Sequence, residues 1–307
     1  MAVAPTLTQV RTTGSAPARR KPQRGWVFHA VMAPVALLWI LPVLFVIMIA
    51  FRSFDDIATR GLGAWPKQLT PSAFRTAWVG GNIGGALLNS VVITVCAVVA
   101  VLFLASLAAF ALSRYRVPFG RGILLLMLAG NLLPPQILLI PVAKICEALG
   151  IYDTLLALVV VQVGFGMGFF TFVLYGFMRS LPNEVFEASR IDGASDLRIY
   201  ATMVLPLCRP ALAALGALES TWVFNDLLWA LTVLRTDTKF PITAALLNLQ
   251  GGYTSSWNVI AAGSLIAAVP TTIVFFAFQR HFVQGVMAGS VKVDASLSDI
   301  IRLRKLG

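Results

Sequence analysis

The chain has 307 residues, of which 58% are hydrophobic and only 12% are charged. Soluble domains carry about 25% charged residues, so this composition excludes an ordinary water-soluble protein. The net charge of +11 would suit a nucleic-acid-binding protein, but the basic residues flank apolar segments instead of forming one patch. We therefore expect a membrane protein with no nucleic-acid partner.

Long apolar runs define the predicted architecture. One crossing of the hydrocarbon core needs about 20 apolar residues, and β-barrels lack runs of that length. The sequence therefore predicts an all-α, polytopic membrane protein. The six predicted transmembrane helices lie at about residues 28–51, 87–112, 122–146, 154–178, 210–234 and 259–282. The three predicted regions are a disordered basic tail at 1–27, a transmembrane domain at 28–284 and a second tail at 285–307.

The distribution of Lys and Arg predicts the orientation. Seventeen of them lie in residues 1–27, 113–121, 179–209 and 280–307, and seven lie in the segments on the other side. Basic residues accumulate on the cytoplasmic side of membrane proteins. We therefore expect both termini in the cytoplasm.

Three local features of the spans carry structural expectations. Pro134-Pro135 should kink the third span, because two backbone donors are missing there. Gly164 and Gly168 form a GxxxG pair in the fourth span, which predicts close helix packing. The cysteines are three, an odd number without CxxC spacing, so we expect small buried thiols instead of disulfides or a metal site.

Residues 184–207, called the polar hairpin below, interrupt the apolar pattern with four acidic and two basic side chains. Val185, Ala188 and Ile191 recur at helical spacing and predict one apolar stripe. Gly193 should stop this helix, and Ser195 should cap a second short helix that Leu205-Pro206 ends. The simplest interpretation is an interfacial hairpin that only joins two spans.

The motif spacing favours a more specific interpretation. Glu187-Ala188, Gly193 and Leu205-Pro206 resemble the EAA motif, EAA-x3-G-x9-I-x-LP, of permease subunits of binding-protein-dependent ABC importers. Ser189 and Met203 depart from the motif as small or volume-conserving changes. Residues 132–159, the run FNDLLW at 224–229 and the end of the chain resemble carbohydrate permeases of the maltose type (MalG-like).

The resemblance implies a type I ABC importer permease fold in a prokaryotic cell membrane. It also implies four partners: a second homologous permease, a dimeric ABC ATPase, an extracytoplasmic solute-binding (lipo)protein and membrane lipid. The substrate would be a sugar. Contacts with the ATPase are expected from the polar hairpin, at Glu184, Glu187, Ala188, Asp192, Gly193, Ala194, Leu205 and Pro206.

The chain is not expected to be an enzyme or to bind a cofactor. It contains no Gly-Lys-Ser/Thr, so a P-loop is excluded, and ATP and Mg²⁺ would bind to the partner ATPase. The alternatives are a permease for glycerol phosphate, phosphate or a polyamine, and an ion-coupled secondary transporter. The last would carry ionisable residues at matching positions of two halves, a pattern that the sequence lacks.

Polar and aromatic residues within the spans are candidates for a substrate path. Charges in lipid are costly, so Glu219 and Asp226 should face protein or water. Asp226 lies seven residues after Glu219, which would place both on one helix face. Aromatic faces stack on sugars and amides bond hydroxyls, but hydrogen bonding between helices explains these residues equally well. The candidates are Gln136, Trp222, Asn225, Asp226 and Trp229.

Overall fold

A computed structural model of the protein describes residues 25–249 and 256–277, and within these residues every regular element is helical. The long helices are α1 (Gly25–Ala50), α4 (Ile83–Arg114), α5 (Gly120–Gly130), α6 (Pro135–Ala148), α7 (Leu155–Arg179), α10 (Leu205–Phe224) and α13 (Trp257–Ala277). The short helices are α2 (Phe54–Arg60), α3 (Ser72–Gly80), α8 (Asn183–Ile191), α9 (Asp196–Ile199), α11 (Leu228–Val233) and α12 (Ile242–Asn248). Most of the predicted tails, 1–24 and 285–307, lie outside the described residues.

The described residues contain five helices that are long and apolar enough to cross a membrane, or six if α5 and α6 together form one span. The membrane-spanning helical architecture expected from the sequence is therefore confirmed. The second and fifth spans differ in their bounds: α4 begins at Ile83 instead of near residue 87, and the fifth span runs from Asp196 to Phe224 instead of from about 210 to 234. The sixth span is described only to Ala277.

The third span bends much more sharply at the predicted position than a kink in a continuous helix would. Helices α5 and α6 meet at 99°, with residues 131–134 between them. Pro134 and Pro135 cannot donate backbone hydrogen bonds, and a residue before proline is driven out of helical conformation. The double proline therefore ends one helix and starts another.

The chain divides into two units, one ending at Phe45 and one starting at Val46. In the second unit, α4 packs against α7 and α10. Small and β-branched residues recur every fourth position along the buried face of α4, which allows close approach of its neighbours. They are Ile93, Ala97, Val101, Ala105 and Ala109.

Glycine packing on α7 differs from the predicted GxxxG pair. A Cβ on Gly168 would lie 2.1 Å from the Met127 carbonyl oxygen of α5, whereas a Cβ on Gly164 would meet no atom within 4 Å. The second close contact is at Gly166, where an added Cβ would lie 2.8 Å from the Val101 side chain of α4. The glycines that permit close packing are thus Gly166 and Gly168, two residues apart.

Replacing Gly168 by alanine should destabilise the protein, because the backbones of α5 and α7 must separate to admit the methyl group. Overpacking of this kind costs about 1–3 kcal/mol. Gly176→Ala on the same helix is the matched control, since its Cβ meets open space. Thermal unfolding in detergent should show a lower Tm for Gly168→Ala only, and equal Tm values would contradict the packing assignment.

One end of the bundle, which holds the end of α1, helices α2, α3 and α12 and the start of α13, is called the far end. There Arg52 is completely buried and donates to Asp56 at 2.7 Å and to the Gly61 and Leu62 carbonyls at 3.0 and 2.9 Å. The Arg52 guanidinium lowers the pKa of the Asp56 carboxyl. Asn258 of α13 donates to the Arg52 carbonyl at 3.0 Å. Arg52 thus ties the loop after α1 to the last described helix.

Asp153 fixes a second loop. Its carboxylate accepts hydrogen bonds from the Thr236 hydroxyl at 2.6 Å, from the Arg235 amide at 2.8 Å and from Lys239 at 2.9 Å. The bond from the Thr236 hydroxyl is the main cause that lowers the pKa of Asp153. The loop before α7 and the loop after α11 are therefore bound to each other.

Candidate functional site

The polar hairpin folds as α8, a tight turn and α9, as the sequence predicts. Helix α8 ends at Ile191, and Gly193 follows with a φ of 79°, a left-handed conformation that glycine adopts without strain. The Gly193 amide donates to the Arg190 carbonyl at 3.0 Å. Ser195 caps α9 by accepting from the Arg198 amide at 3.4 Å. The turn thus depends on one glycine and one cap.

The exposed face of the hairpin carries both apolar and acidic side chains. Phe186 and Ser189 are buried against the bundle, whereas Ile191 is 86% exposed and Leu197 is 72% exposed. Of the residues predicted to contact the ATPase, five are exposed and three are half-buried. The exposed ones are Glu184, Glu187, Ala188, Asp192 and Gly193, and the half-buried ones are Ala194, Leu205 and Pro206. The hairpin therefore presents apolar and acidic groups together on a face that the described residues do not cover.

Arg114, the last residue of α4, holds α8 in place. Its guanidinium donates to Asn183 at 2.6 Å and also to the Met178 and Leu181 carbonyls. The same group lies 3.6 Å from the ring centroid of Phe186. Sequence analysis assigned this arginine only to membrane orientation, because nothing local links residue 114 to residue 183.

Two further contacts hold the second half of the hairpin. The Tyr200 and Ser106 hydroxyls form a buried hydrogen bond of 2.6 Å between the hairpin and α4. Ser189 donates to the Met203 sulfur at 2.8 Å. Ser189 and Met203 are the two positions that depart from the motif, and they contact each other directly.

The prediction that Leu205-Pro206 ends the second helix is wrong. Residues Asp196–Phe224 form one continuous helix of 29 residues, which includes a π-helical turn at Tyr200–Val204. In this turn the Leu205 amide donates to the Tyr200 carbonyl, five residues back. Pro206 has no amide hydrogen, so the wider turn beside it keeps the helix unbroken. The second half of the hairpin is thus the first part of a membrane-spanning helix.

The structure separates the substrate-path candidates. Trp222 is 48% exposed, with its ring 5.3 Å from that of Phe169, and Asn225 is also exposed. Trp229 is instead buried and stacked on Phe165 at 4.7 Å. Gln136 is exposed in the first turn of α6, on the other side of the sharp bend from α5. Trp222 and Asn225 are therefore the accessible pair near the end of α10.

The two deep acids do not share a helix face. Glu219 is 2% exposed within α10, but α10 ends at Phe224, so Asp226 lies beyond it. The Asp226 carboxylate accepts from the Trp229 and Ala230 amides at 3.4 and 3.3 Å. Asp226 therefore accepts hydrogen bonds from the first amides of α11, which is a structural role.

The cysteines differ from expectation in part, since Cys146 and Cys208 are buried but Cys96 is exposed.

Comparisons with known proteins agree with the helical membrane-spanning architecture. A family model described as "Binding-protein-dependent transport system inner membrane component" matches residues 101–288. The chain is 32% identical over 273 residues to the osmoprotective compounds uptake permease protein GgtD of Synechocystis sp., covering 86% of this chain and 91% of that protein. It is 36% identical over 234 residues to the alpha-glucoside transport system permease protein AglG of Rhizobium meliloti, covering 74% and 61%.

A solved structure shares the fold. A chain of a bacterial ABC transporter involved in the import of the acidic polysaccharide alginate superposes with a TM-score of 0.74. The match covers 84% of this chain and 96% of the other at 23% identity.

Proposed function

Because the chain belongs to the family of binding-protein-dependent transport system inner membrane components, we propose that it forms half of the membrane pore of an ATP-driven carbohydrate importer. The second half would be a homologous permease. A dimeric ATPase would bind at the polar hairpin, and an extracytoplasmic binding protein would deliver the solute at the far end. ATP and Mg²⁺ would be held by the ATPase.

The observation that carries this proposal is the continuity of the hairpin with a membrane span. A push on the exposed face of α8 would reach α4 through Arg114 and would reach the Asp196–Phe224 helix through the backbone itself. Closure of two ATPase subunits would then rock the attached spans as rigid bodies between inward-facing and outward-facing arrangements.

The proposed sugar path rests on Trp222 and Asn225, which are exposed near the end of α10. An aromatic face and an amide are the groups that hold a sugar ring and its hydroxyls. The names of the relatives support a carbohydrate, since AglG is named for alpha-glucosides and the solved transporter imports alginate. We favour a di- or oligosaccharide over glycerol phosphate or a polyamine.

The experiment is uptake of labelled disaccharides into proteoliposomes that contain the chain, its permease partner, the ATPase and the binding protein. Uptake should require ATP inside and should survive dissipation of ion gradients. Uptake that instead follows an imposed ion gradient without ATP would show an ion-coupled secondary transporter. ATP-dependent uptake of a polyamine or glycerol phosphate, but no sugar, would keep the importer and reject the substrate class.

Glu187→Lys should weaken ATPase binding, because it reverses the charge of an exposed acid on the proposed docking face. Glu147→Lys is the control, since it makes the same reversal on an exposed acid at the end of α6. Co-purification of the ATPase with the Glu187→Lys chain should fall at least about tenfold while membrane insertion is unchanged. Normal ATPase yield together with full uptake would reject the role of Glu187.

A further inference from the structure

A basic cleft lies at the hairpin end of the bundle and reaches the start of α8 at Asn183. It has a volume of about 980 Å³ and is lined by the ends of α4 and α7, the linker 115–119 and the first turn of α5. Its charged lining residues are Arg114, Arg116, Arg121 and Arg179. Among the described residues that line the cleft there is no Asp or Glu. The cleft thus concentrates positive charge without an internal counter-ion.

The four arginines are not equally engaged. Arg114 is bound to α8, and Arg179 donates to the Tyr175 hydroxyl at 2.7 Å. Within the part of the chain that the structure describes, Arg116 and Arg121 form no hydrogen bond or ion pair, and both are exposed. Arg116 also borders a second cavity, where Glu187 is exposed and Asp196 is paired with Arg190 at 3.2 Å. Two guanidinium groups are therefore available to an anion.

The cleft lies at the depth of lipid headgroups. Helix α4 has 32 residues and rises about 1.5 Å per residue, so its length exceeds the hydrocarbon thickness of about 30 Å. Its last residue lies in the cleft, as does the last residue of α7. Tyr115 and Tyr175 line the same space, and tyrosines are enriched at the membrane–water boundary.

An apolar track leads out of the cleft along α5. Phe119, at the entrance, is 90% exposed. Gly122, Leu125 and Leu126 follow at helical spacing and are all exposed, with Leu125 at 62% and Leu126 at 75%. A Cβ on Gly122 would meet no atom within 4 Å, so the track is open. A soluble anion gains nothing from contact with an apolar surface, whereas the acyl chains of a lipid pack against it.

We propose that this cleft binds the phosphate headgroup of an anionic phospholipid, with its acyl chains lying along the exposed face of α5. The first amides of α5 strengthen the site, since Phe119 precedes the helix without a side-chain cap and helix N-termini attract anions. Basic pockets between membrane helices at the headgroup level are suited to anionic lipids. The track favours a lipid over an acidic protein surface, which would leave Leu125 and Leu126 uncovered.

The test is native mass spectrometry of the full chain in detergent, titrated with dioleoyl phosphatidylglycerol or dioleoyl phosphatidylcholine. The wild type should bind the anionic lipid at least about tenfold more tightly than the zwitterionic one. The double variant Arg116→Gln/Arg121→Gln should lose this preference, with anionic binding weakened roughly 10- to 30-fold. Arg209→Gln, which removes an exposed arginine of α10 outside the cleft, should behave as wild type.

Three outcomes would overturn the proposal. They are equal binding of the two lipids, an undiminished preference in the double variant, and displacement of phosphatidylglycerol by millimolar inorganic phosphate. The last would assign the cleft to a soluble anion. If the double variant does not fold, Arg121→Gln alone is used, because Arg121 forms no hydrogen bond or ion pair with a described residue and is exposed. A loss of several-fold is then expected.

Discussion

Gly193→Pro should abolish ATP-driven transport while the chain still inserts in the membrane. Proline fixes φ near −65°, whereas residue 193 has a φ of 79°. The substitution also removes the amide that donates to the Arg190 carbonyl. Distortion of this kind costs about 3 kcal/mol, more than the 1.4 kcal/mol that corresponds to a tenfold change. Uptake by the reconstituted importer should therefore fall at least tenfold.

Gly193→Asn is the matched control for this turn. Asparagine adopts the left-handed conformation far more readily than other residues with a side chain, and a Cβ here meets no atom within 4 Å. It should retain most transport. If Gly193→Pro transports as well as Gly193→Asn, the turn geometry is not needed for coupling. The proposal that the hairpin transmits motion from the ATPase to the spans would then be rejected.

Arg114→Ala should loosen the hairpin from α4. The substitution removes the hydrogen bond to Asn183, those to the Met178 and Leu181 carbonyls at the end of α7 and the stacking on Phe186. Loss of several charge-assisted bonds and a cation–π contact amounts to about 2–4 kcal/mol. Hydrogen exchange of the α8 amides should accelerate by at least tenfold, and ATP hydrolysis should continue with reduced uptake.

Two controls separate the hydrogen-bonding geometry of Arg114 from its charge. Arg114→Lys keeps the charge but loses the planar fork that reaches three acceptors, so it should give an intermediate exchange rate. Arg209→Ala removes an exposed arginine of α10 and should leave α8 protected. Unchanged α8 exchange in Arg114→Ala would show that the remaining contacts, such as the burial of Phe186 and Ser189, hold the hairpin without Arg114.

The spans and the hairpin turn were predictable because their signals are local. Runs of apolar residues predict membrane helices, and a glycine followed by Ser195 predicts a turn with a cap, which the structure contains. The extent of the bend at Pro134-Pro135 was not predictable, because a double proline permits a range of angles and tertiary packing selects one.

Long-range contacts account for what the sequence could not reveal. Arg114 is an ordinary flanking arginine until α8 lies beside it. Trp229 suggests a sugar contact by its type, but Phe165, distant in the chain, covers it. The wrong prediction that the second helix ends at Leu205-Pro206 has a different cause. The rule that proline ends a helix is sound for a regular α-helix, and the π-turn at Tyr200–Val204 evades it.

The buried Arg52 imposes an order on biogenesis. Its carbonyl is satisfied by Asn258, 206 residues later in the chain, and the core around it includes Ile49 from the first described helix and Ala262 from the last described one. During synthesis the end of α1 therefore lacks its partner until α13 has been made. The far end is thus a part of the fold that is completed late, although its first residues are among the earliest made.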